Sequence, residues 1–226
     1  MSERKGQDDL ALRLARLPPG RHGLPRDFVV RNQRDRLAAG IVAVVAAHGL
    51  NETTVAEICT AAGVSRRTFY AYFSSKEDCY LATYASIVEY VRGAADEAAM
   101  LADDWPGRIA AKLRTPLELF AANPDLASFS LVAPQRAGGP VTARYRQLMS
   151  QAVEYLCEGM PPPPRTRSPS EAVAASLIGG MVALVARELD EGRGGELPRL
   201  LPDLLELFLT PYLGRGAAVA AAGAAR

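Results

Sequence analysis

The chain has 226 residues, 49% of them hydrophobic, and a formal net charge of +1. That apolar content excludes a disordered chain, and near-neutrality excludes a polyanion partner recognised by bulk charge alone. Alanine and leucine dominate and β-branched residues are sparse in most stretches, so the expected fold class is all-α.

Residues 1–30 are charged and interrupted by Pro18, Pro19, Gly20, Gly23 and Pro25. They read as an arm, partly disordered, with at most a short helix over 10–17. From Arg31 onward, Leu37, Ile41, Val44 and Val45 recur at helical spacing as far as His48–Gly49, where the glycine supplies a left-handed cap. Thr54 and Glu57 form a capping box that opens a short helix from Val55 to Ala62, with Val55, Ile58, Cys59 and Ala62 facing inward and Gly63 ending it. Ser65 caps a third helix running to about Phe73. Ser74 with Glu77 forms another capping box and opens a long fourth helix, whose stripe is Tyr80, Tyr84, Ile87 and Val91. Further helices are expected at 105–122, 125–135, 140–158, 169–191 and 198–212. Pro161 to Pro164 must interrupt helix, and Ser168, Pro169 and Glu171 restart it as N-cap and first turn. The alanine-rich tail beyond Gly214 reads as frayed. The organisation is thus an arm (1–30), a three-helix DNA-binding domain (31–78), a helical ligand-binding and dimerisation domain (79–213) and a flexible tail (214–226).

The segment AGVSRRTFYAYFSSKE, residues 62–77, carries the function. A helix, a tight turn holding Gly63, and a second helix exposing Arg66, Arg67 and Thr68 in its first turn make a helix-turn-helix, whose second helix enters the major groove of double-stranded DNA. Arginine can bond guanine N7 and O6 in a bidentate way, and threonine can meet base edges or a thymine methyl. Tyr70 and Tyr72 follow on nearly the same side. Lys76 sits at a helix N-terminus, where amide dipoles favour a phosphate. Ser65 and Thr54, which open the two helices, complete the DNA-binding set. The charge distribution agrees in direction: residues 1–80 hold 12 Lys and Arg against 9 Asp and Glu, whereas 81–226 hold 14 against 16.

Over about residues 34–82 the sequence closely resembles the TetR family of regulators, in the string TTVAEICTAAGVSRRTFYAYFSSKEDCYLA. The resemblance implies that Thr68, Tyr70, Tyr72 and Lys76 occupy family DNA-contact positions, the tyrosines and lysine mainly on phosphates. Arg66 and Arg67 fall where members vary the residues that read bases. It also implies a dimer contact through the last two helices. Two features depart from the family pattern: Ala56 cannot make the polar contact some members make at the start of the second helix, and the arm is long. Arg21, Arg26 and Arg31 place a guanidinium in the minor groove on one reading, and belong to a disordered or body-packed extension on the other.

The body offers Tyr84, Trp105, Phe120, Phe129, Tyr145 and Met149, on several helices, as walls of an apolar effector cavity. Small residues repeat along 169–191 at Ser176, Gly179, Gly180 and Ala183, where close backbone approach explains mid-helix glycine. With Leu201, Leu204, Leu205 and Phe208 of the next helix they form the expected two-fold interface. Cys59, Cys79 and Cys157 are odd in number and in no CxxC pair, as in a reducing compartment, and neither they nor His22 and His48 form a metal or catalytic cluster, so no cofactor is expected. The run 172–186 spans 15 residues, short of the ~20 that cross a bilayer, and no signal peptide is read. The expected protein is a cytoplasmic homodimeric transcriptional regulator, nucleoid-associated when on DNA. It represses at a pseudo-palindromic operator and is released by a small apolar effector. The alternatives are a DNA-binding scaffold controlled by a protein partner and, less favoured for want of any nucleophile–base pair, a helical enzyme with an incidental helix-turn-helix.

Overall fold

The computed structural model describes residues 26–158 and 170–224, with side chains from residue 32 onward. The arm up to residue 25, the guanidiniums of Arg21, Arg26 and Arg31, the proline run at 161–164 and the expected Ser168–Pro169 cap lie outside the described residues. All regular structure among the described residues is helical, and the chain divides into two units, Met1–Ala85 and Ser86–Arg226.

The first unit holds α1 (Arg26–His48), α2 (Val55–Ala62), α3 (Arg66–Tyr72) and the start of α4 (Lys76–Ala99). Leu37, Ile41 and Val45 of α1, Ile58 of α2, Phe69 of α3 and Cys79 and Tyr80 of α4 close into one apolar core. Burying side chains of this size stabilises by about 1.5–3 kcal/mol each. The helix α1 crosses α2 at Gly40, where a Cβ would lie 3.0 Å from both the Ala62 nitrogen and the Ile58 oxygen. A side chain there would force these two backbones apart by a few tenths of an ångström.

The second unit contains the rest of α4 followed by α5 (Trp105–Ala122), α6 (Pro124–Ala127), a π turn (Ser128–Val132), α7 (Ala133–Ala137), α8 (Gly139–Cys157) and α9 (Glu171–Asp190). A 3-10 turn (Gly194–Leu200) then leads into α10 (Leu201–Leu213) and α11 (Arg215–Ala224). Ile109, Leu113 and Leu117 of α5 and Leu204, Leu205, Phe208 and Leu209 of α10 are buried in its core. Trp105 joins them, its ring centroid 5.2 Å from Tyr212 and 6.5 Å from Phe208.

Several boundaries move from their expected places. The helix α1 starts five residues before Arg31, at Arg26. The fourth helix opens one residue later than the Ser74–Glu77 box implies. Ser75 Oγ accepts from the Asp78 amide at 3.1 Å, and Asp78 Oδ2 accepts from the Ser74 amide at 2.8 Å. The helix expected over 125–135 is interrupted by the π turn. Ser170, whose side chain accepts from the Val173 amide, caps α9. Beyond Gly214 the chain is helical rather than frayed, because Ala218 and Ala222 are small enough to be buried against their own unit. The division between units falls inside α4, after Ala85, rather than at residue 78.

The helix α9 is 20 residues long with mean hydropathy 1.7, long and apolar enough by composition to cross a membrane, and 28% of its most apolar stretch is buried. Its buried residues are Leu177, Ile178, Met181, Val185 and Glu188. Ala172, Ser176, Gly179 and Ala183 lie exposed on its other side.

Candidate nucleic-acid interface

The turn between α2 and α3 is fixed at both ends. Gly63 adopts φ +62°, which lets the Gly63 amide donate to Thr60 oxygen at 3.1 Å and the Val64 amide to Cys59 oxygen at 3.0 Å. This left-handed cap satisfies the last carbonyls of α2. Arg36 Nη2 of α1 donates to the Gly63 carbonyl at 2.6 Å. The helix α3 begins at once: Ser65 Oγ accepts from the Thr68 amide at 3.0 Å and lies 2.9 Å from Thr68 Oγ1.

One side of α3 is anchored and the other is free. Phe69 is fully buried, with Tyr70 and Phe73 around its ring at 5.3 and 5.8 Å. Arg66 and Arg67 are exposed, and Tyr70 stands 59% exposed. Tyr70 lies between the two arginines on one face, because positions three and four apart are neighbours on a helix. Two guanidiniums and a phenol ring on a short anchored helix suit entry into a wide groove lined with acceptors.

Other residues of the expected set are held by the protein itself. Thr54 Oγ1 is spent on the cap of α2, bonding Glu57 Oε2 at 2.7 Å, while that carboxylate also accepts from the Thr54 amide at 2.8 Å. Both bonds hold the Glu57 carboxyl below its ordinary pKa. The half-buried Tyr72 hydroxyl donates to Gln33 Oε1 at 2.8 Å. The Lys76 ammonium donates to the carbonyls of Leu50, Asn51 and Thr53 at 2.8, 2.9 and 2.8 Å. The roles of Arg36, Gln33 and this lysine carry no local sequence signal, since their partners are 23 to 39 residues away. Burial raises the Cys59 thiol and pushes the Cys79 thiol up to about 12, which disfavours the reactive thiolate at both.

The expected effector residues do not form one wall. Tyr84 stacks on Tyr80 in the core of the first unit, and Trp105, Phe120 and Phe129 are core residues of the second. Tyr145 and Met149 of α8 do converge, with Ile178, Gly179, Val182 and Ala183 of α9, on a groove of about 860 Å³. Arg146 and Arg187 stand in its lining. The expected dimer residues separate likewise. Ser176, Gly179 and Ala183 are exposed and Gly180 is half-buried, but Leu201, Leu204, Leu205 and Phe208 are enclosed by their own chain and leave no apolar stripe for a partner. Their stripe is wide because α10 is packed on more than one side, by α5 and α11. Among the described residues no three His, Cys, Asp or Glu side chains converge as a metal site.

The sequence also passed over Lys112. It is 5% exposed, and its ammonium donates to the carbonyls of Tyr155 and Glu158 at 2.7 and 3.1 Å, lies 3.4 Å from Asp96 Oδ1, and sits 4.4 Å from the Tyr155 ring centroid. Arg92 lies over the same ring at 4.2 Å. The signal was present: Lys112 falls three residues after Ile109, on the apolar stripe of α5, where a cation must find partners.

An anchored recognition helix behind a glycine turn, with free guanidiniums in its first turn, defines a helix-turn-helix DNA-binding regulator. Residues 37–83, which hold this reading head, match the model of the bacterial regulatory proteins of the tetR family. The whole fold is similar to that of the fatty acid degradation regulator FadR from Bacillus halodurans, at 19% identity and TM-score 0.67, over 77% of this chain and 97% of that one. The regulator FadR from Bacillus subtilis, solved in complex with stearoyl-CoA, is similar at 15% identity and TM-score 0.64, over 79% and 97% of the two chains. A TetR-family regulator from Marinobacter aquaeolei is similar at 19% identity and TM-score 0.57, over 76% and 94%. No curated protein sequence matches the chain.

Proposed function

We propose that the protein is a homodimeric repressor acting in the cytoplasm, which binds a pseudo-palindromic operator and leaves it when the second unit takes up a largely apolar effector. The observation that carries this reading is the exposed Arg66–Arg67–Tyr70 face on a helix whose opposite side is locked by Phe69. A single short helix reads too few base pairs for a unique site, and two copies on successive major grooves, about 34–36 Å apart, double the sequence read. The exposed small-residue side of α9 supports the dimer, because an apolar helix so little covered by its own chain calls for a partner. The DNA-contact role belongs chiefly to Arg66, Arg67, Thr68 and Tyr70. Ser65, Thr54 and Tyr72 act mainly by holding the two helices.

For the effector, the α8–α9 groove has the size and lining of small-molecule sites: Tyr145, Met149, Ile178 and Val182 for an apolar body, Arg146 for an acidic end. The stearoyl-CoA complex of the FadR from Bacillus subtilis makes long acyl thioesters the first class to test. Release requires that the effector prefer a conformation with weaker operator affinity.

The experiment is selection of operator sequences from a random duplex pool by the full chain, then titration of the complex with acyl-CoA esters and with uncharged apolar molecules. A palindromic consensus and dissociation by one of these classes are expected. Arg66→Ala and Arg67→Ala each cost about 1–3 kcal/mol at the consensus and relax one base position. Failure to select any sequence would sink the regulator reading. An effector that binds but leaves operator affinity unchanged would sink the release mechanism alone.

A further inference from the structure

The side chains that a recognition helix presents decide which bases it can read, because each base edge in the major groove carries its own set of donors, acceptors and methyl. The sequence of α3 is RRTFYAY. Its exposed residues are Arg66, Arg67, Tyr70 and Ala71, and the other three are buried or half-buried. Phe69 is in the core, Thr68 has its Oγ1 2.9 Å from Ser65 Oγ, and the Tyr72 hydroxyl donates to Gln33 Oε1 at 2.8 Å.

That set is narrow. The helix α3 has no asparagine or glutamine, the amides that bond N6 and N7 of adenine together, and no carboxylate to accept from the amino group of cytosine. Gln33 of α1 does touch α3, but its oxygen is already given to Tyr72. Arg66 and Arg67 remain, both exposed, with neither guanidinium in a hydrogen bond or ion pair among the described residues. An intact guanidinium fork matches N7 and O6 of guanine, and no other base presents two acceptors side by side in that groove. Ala71 lies one turn on from Arg67, about 6 Å along the helix axis. Its methyl neither donates nor accepts, so the base-edge group it suits is the 5-methyl of thymine.

We propose that α3 reads a half-site of guanine and thymine: Arg66 and Arg67 each take N7 and O6 of a guanine, and Ala71 packs on the methyl of a thymine within about two base pairs of the guanine read by Arg67. The inference rests on the DNA-binding reading above and names the bases that reading leaves open. It makes Ala71 a specificity-determining residue although it carries no polar group.

The test uses the full chain and an operator selected from the random pool, with single atoms of its bases changed. Deazaguanine keeps Watson–Crick pairing and O6 but has a carbon in place of N7, and uracil is thymine without its methyl. Deazaguanine at a guanine read by Arg66 or Arg67, placed in both half-sites, is expected to weaken binding by about fivefold or more. Arg66→Lys and Arg67→Lys keep the charge and lose the fork. Each is expected to bind more weakly, to keep the parent's salt dependence, and to become indifferent to deazaguanine at one position.

Uracil in place of the thymine is expected to cost about fourfold per half-site, the worth of one buried methyl group, and Ala71→Gly should remove that difference. Each readout is a ratio between two duplexes on one protein, so a variant that folds poorly lowers both affinities alike and does not imitate it. A consensus without guanine, full affinity for duplexes carrying deazaguanine at every guanine, lysine variants that still discriminate deazaguanine, or an undiminished thymine preference in Ala71→Gly overturns the proposal and leaves the regulator reading intact. Selection of no sequence at all overturns both.

Discussion

At Gly40 a single hydrogen atom in place of a side chain sets the geometry of the reading head. A Cβ there meets backbone rather than a flexible side-chain end, at 3.0 Å from the Ala62 nitrogen and the Ile58 oxygen, so α1 and α2 must move apart to admit it. Overpacking costs about 1–3 kcal/mol, and alanine recovers about 1 kcal/mol of helix propensity. Gly40→Ala is therefore expected to destabilise the protein by up to about 2 kcal/mol in chemical denaturation and to weaken operator binding, since the displaced helix carries the turn into α3. A protein more stable than the parent with unchanged operator affinity would show that the two helices slide freely. Two carboxylates supply a pH signature of the same unit. Glu57 and Asp78 both have folded pKa values lowered by cap hydrogen bonds, to Thr54 and Ser74 respectively. Their stabilisation is complete above the unfolded carboxylate range, near pH ~4, and is lost as pH falls through the lowered folded values. Tm should thus fall on acidification below about pH 5, and Glu57→Gln with Asp78→Asn should flatten that part of the profile. A profile as steep in the double variant would assign the acid sensitivity to other groups.

Helices as elements were legible wherever the local chemistry is strong, and the misses have local causes too. The capping box at Thr54–Glu57, the glycine end of α2 and the serine start of α3 depend on neighbours three or four residues apart, and all three are formed as the sequence implies. At the start of α4 two serines and two acids stand in a row, and nothing local decides that Ser75 pairs with Asp78 in place of Ser74 with Glu77. Burial across elements was harder to read: an apolar stripe on α10 looks the same whether it meets its own chain or another copy, and only packing against α5 and α11 distinguishes them. Lys112 is the element-scale consequence that periodicity did contain. Its ammonium closes the carboxy end of α8, and Lys112→Met keeps the length of the stem while orphaning two carbonyls and freeing Asp96, which is half-exposed and can rehydrate. The expected loss is about 2–4 kcal/mol. Hydrogen exchange should accelerate first at the last turn of α8. Unchanged protection there would mean that Arg92 and the Tyr155 ring hold the joint without the lysine.

For the whole molecule the open question is what covers α9, and Gly179 offers a direct way to ask. A Cβ at Gly179 would meet nothing within 4 Å, whereas one at Gly180 would already touch Leu207. A Cβ at residue 179 therefore costs the isolated chain nothing in packing, and a side chain there points into open space or the groove and gains about 1 kcal/mol of helix propensity. Across a two-fold seam the same side chain is duplicated at the point of closest approach, where Ser176, Gly179 and Ala183 would let two backbones meet. Gly179→Leu is thus expected to give a folded monomer in sedimentation, with a helical spectrum like the parent's. Its operator affinity should collapse toward that of one half-site, because linked heads bind with an effective concentration that separate heads lack. A Gly179→Leu protein that stays dimeric and binds the operator normally would place the seam elsewhere, and the exposed side of α9 would then be the approach to the Tyr145–Met149 groove alone.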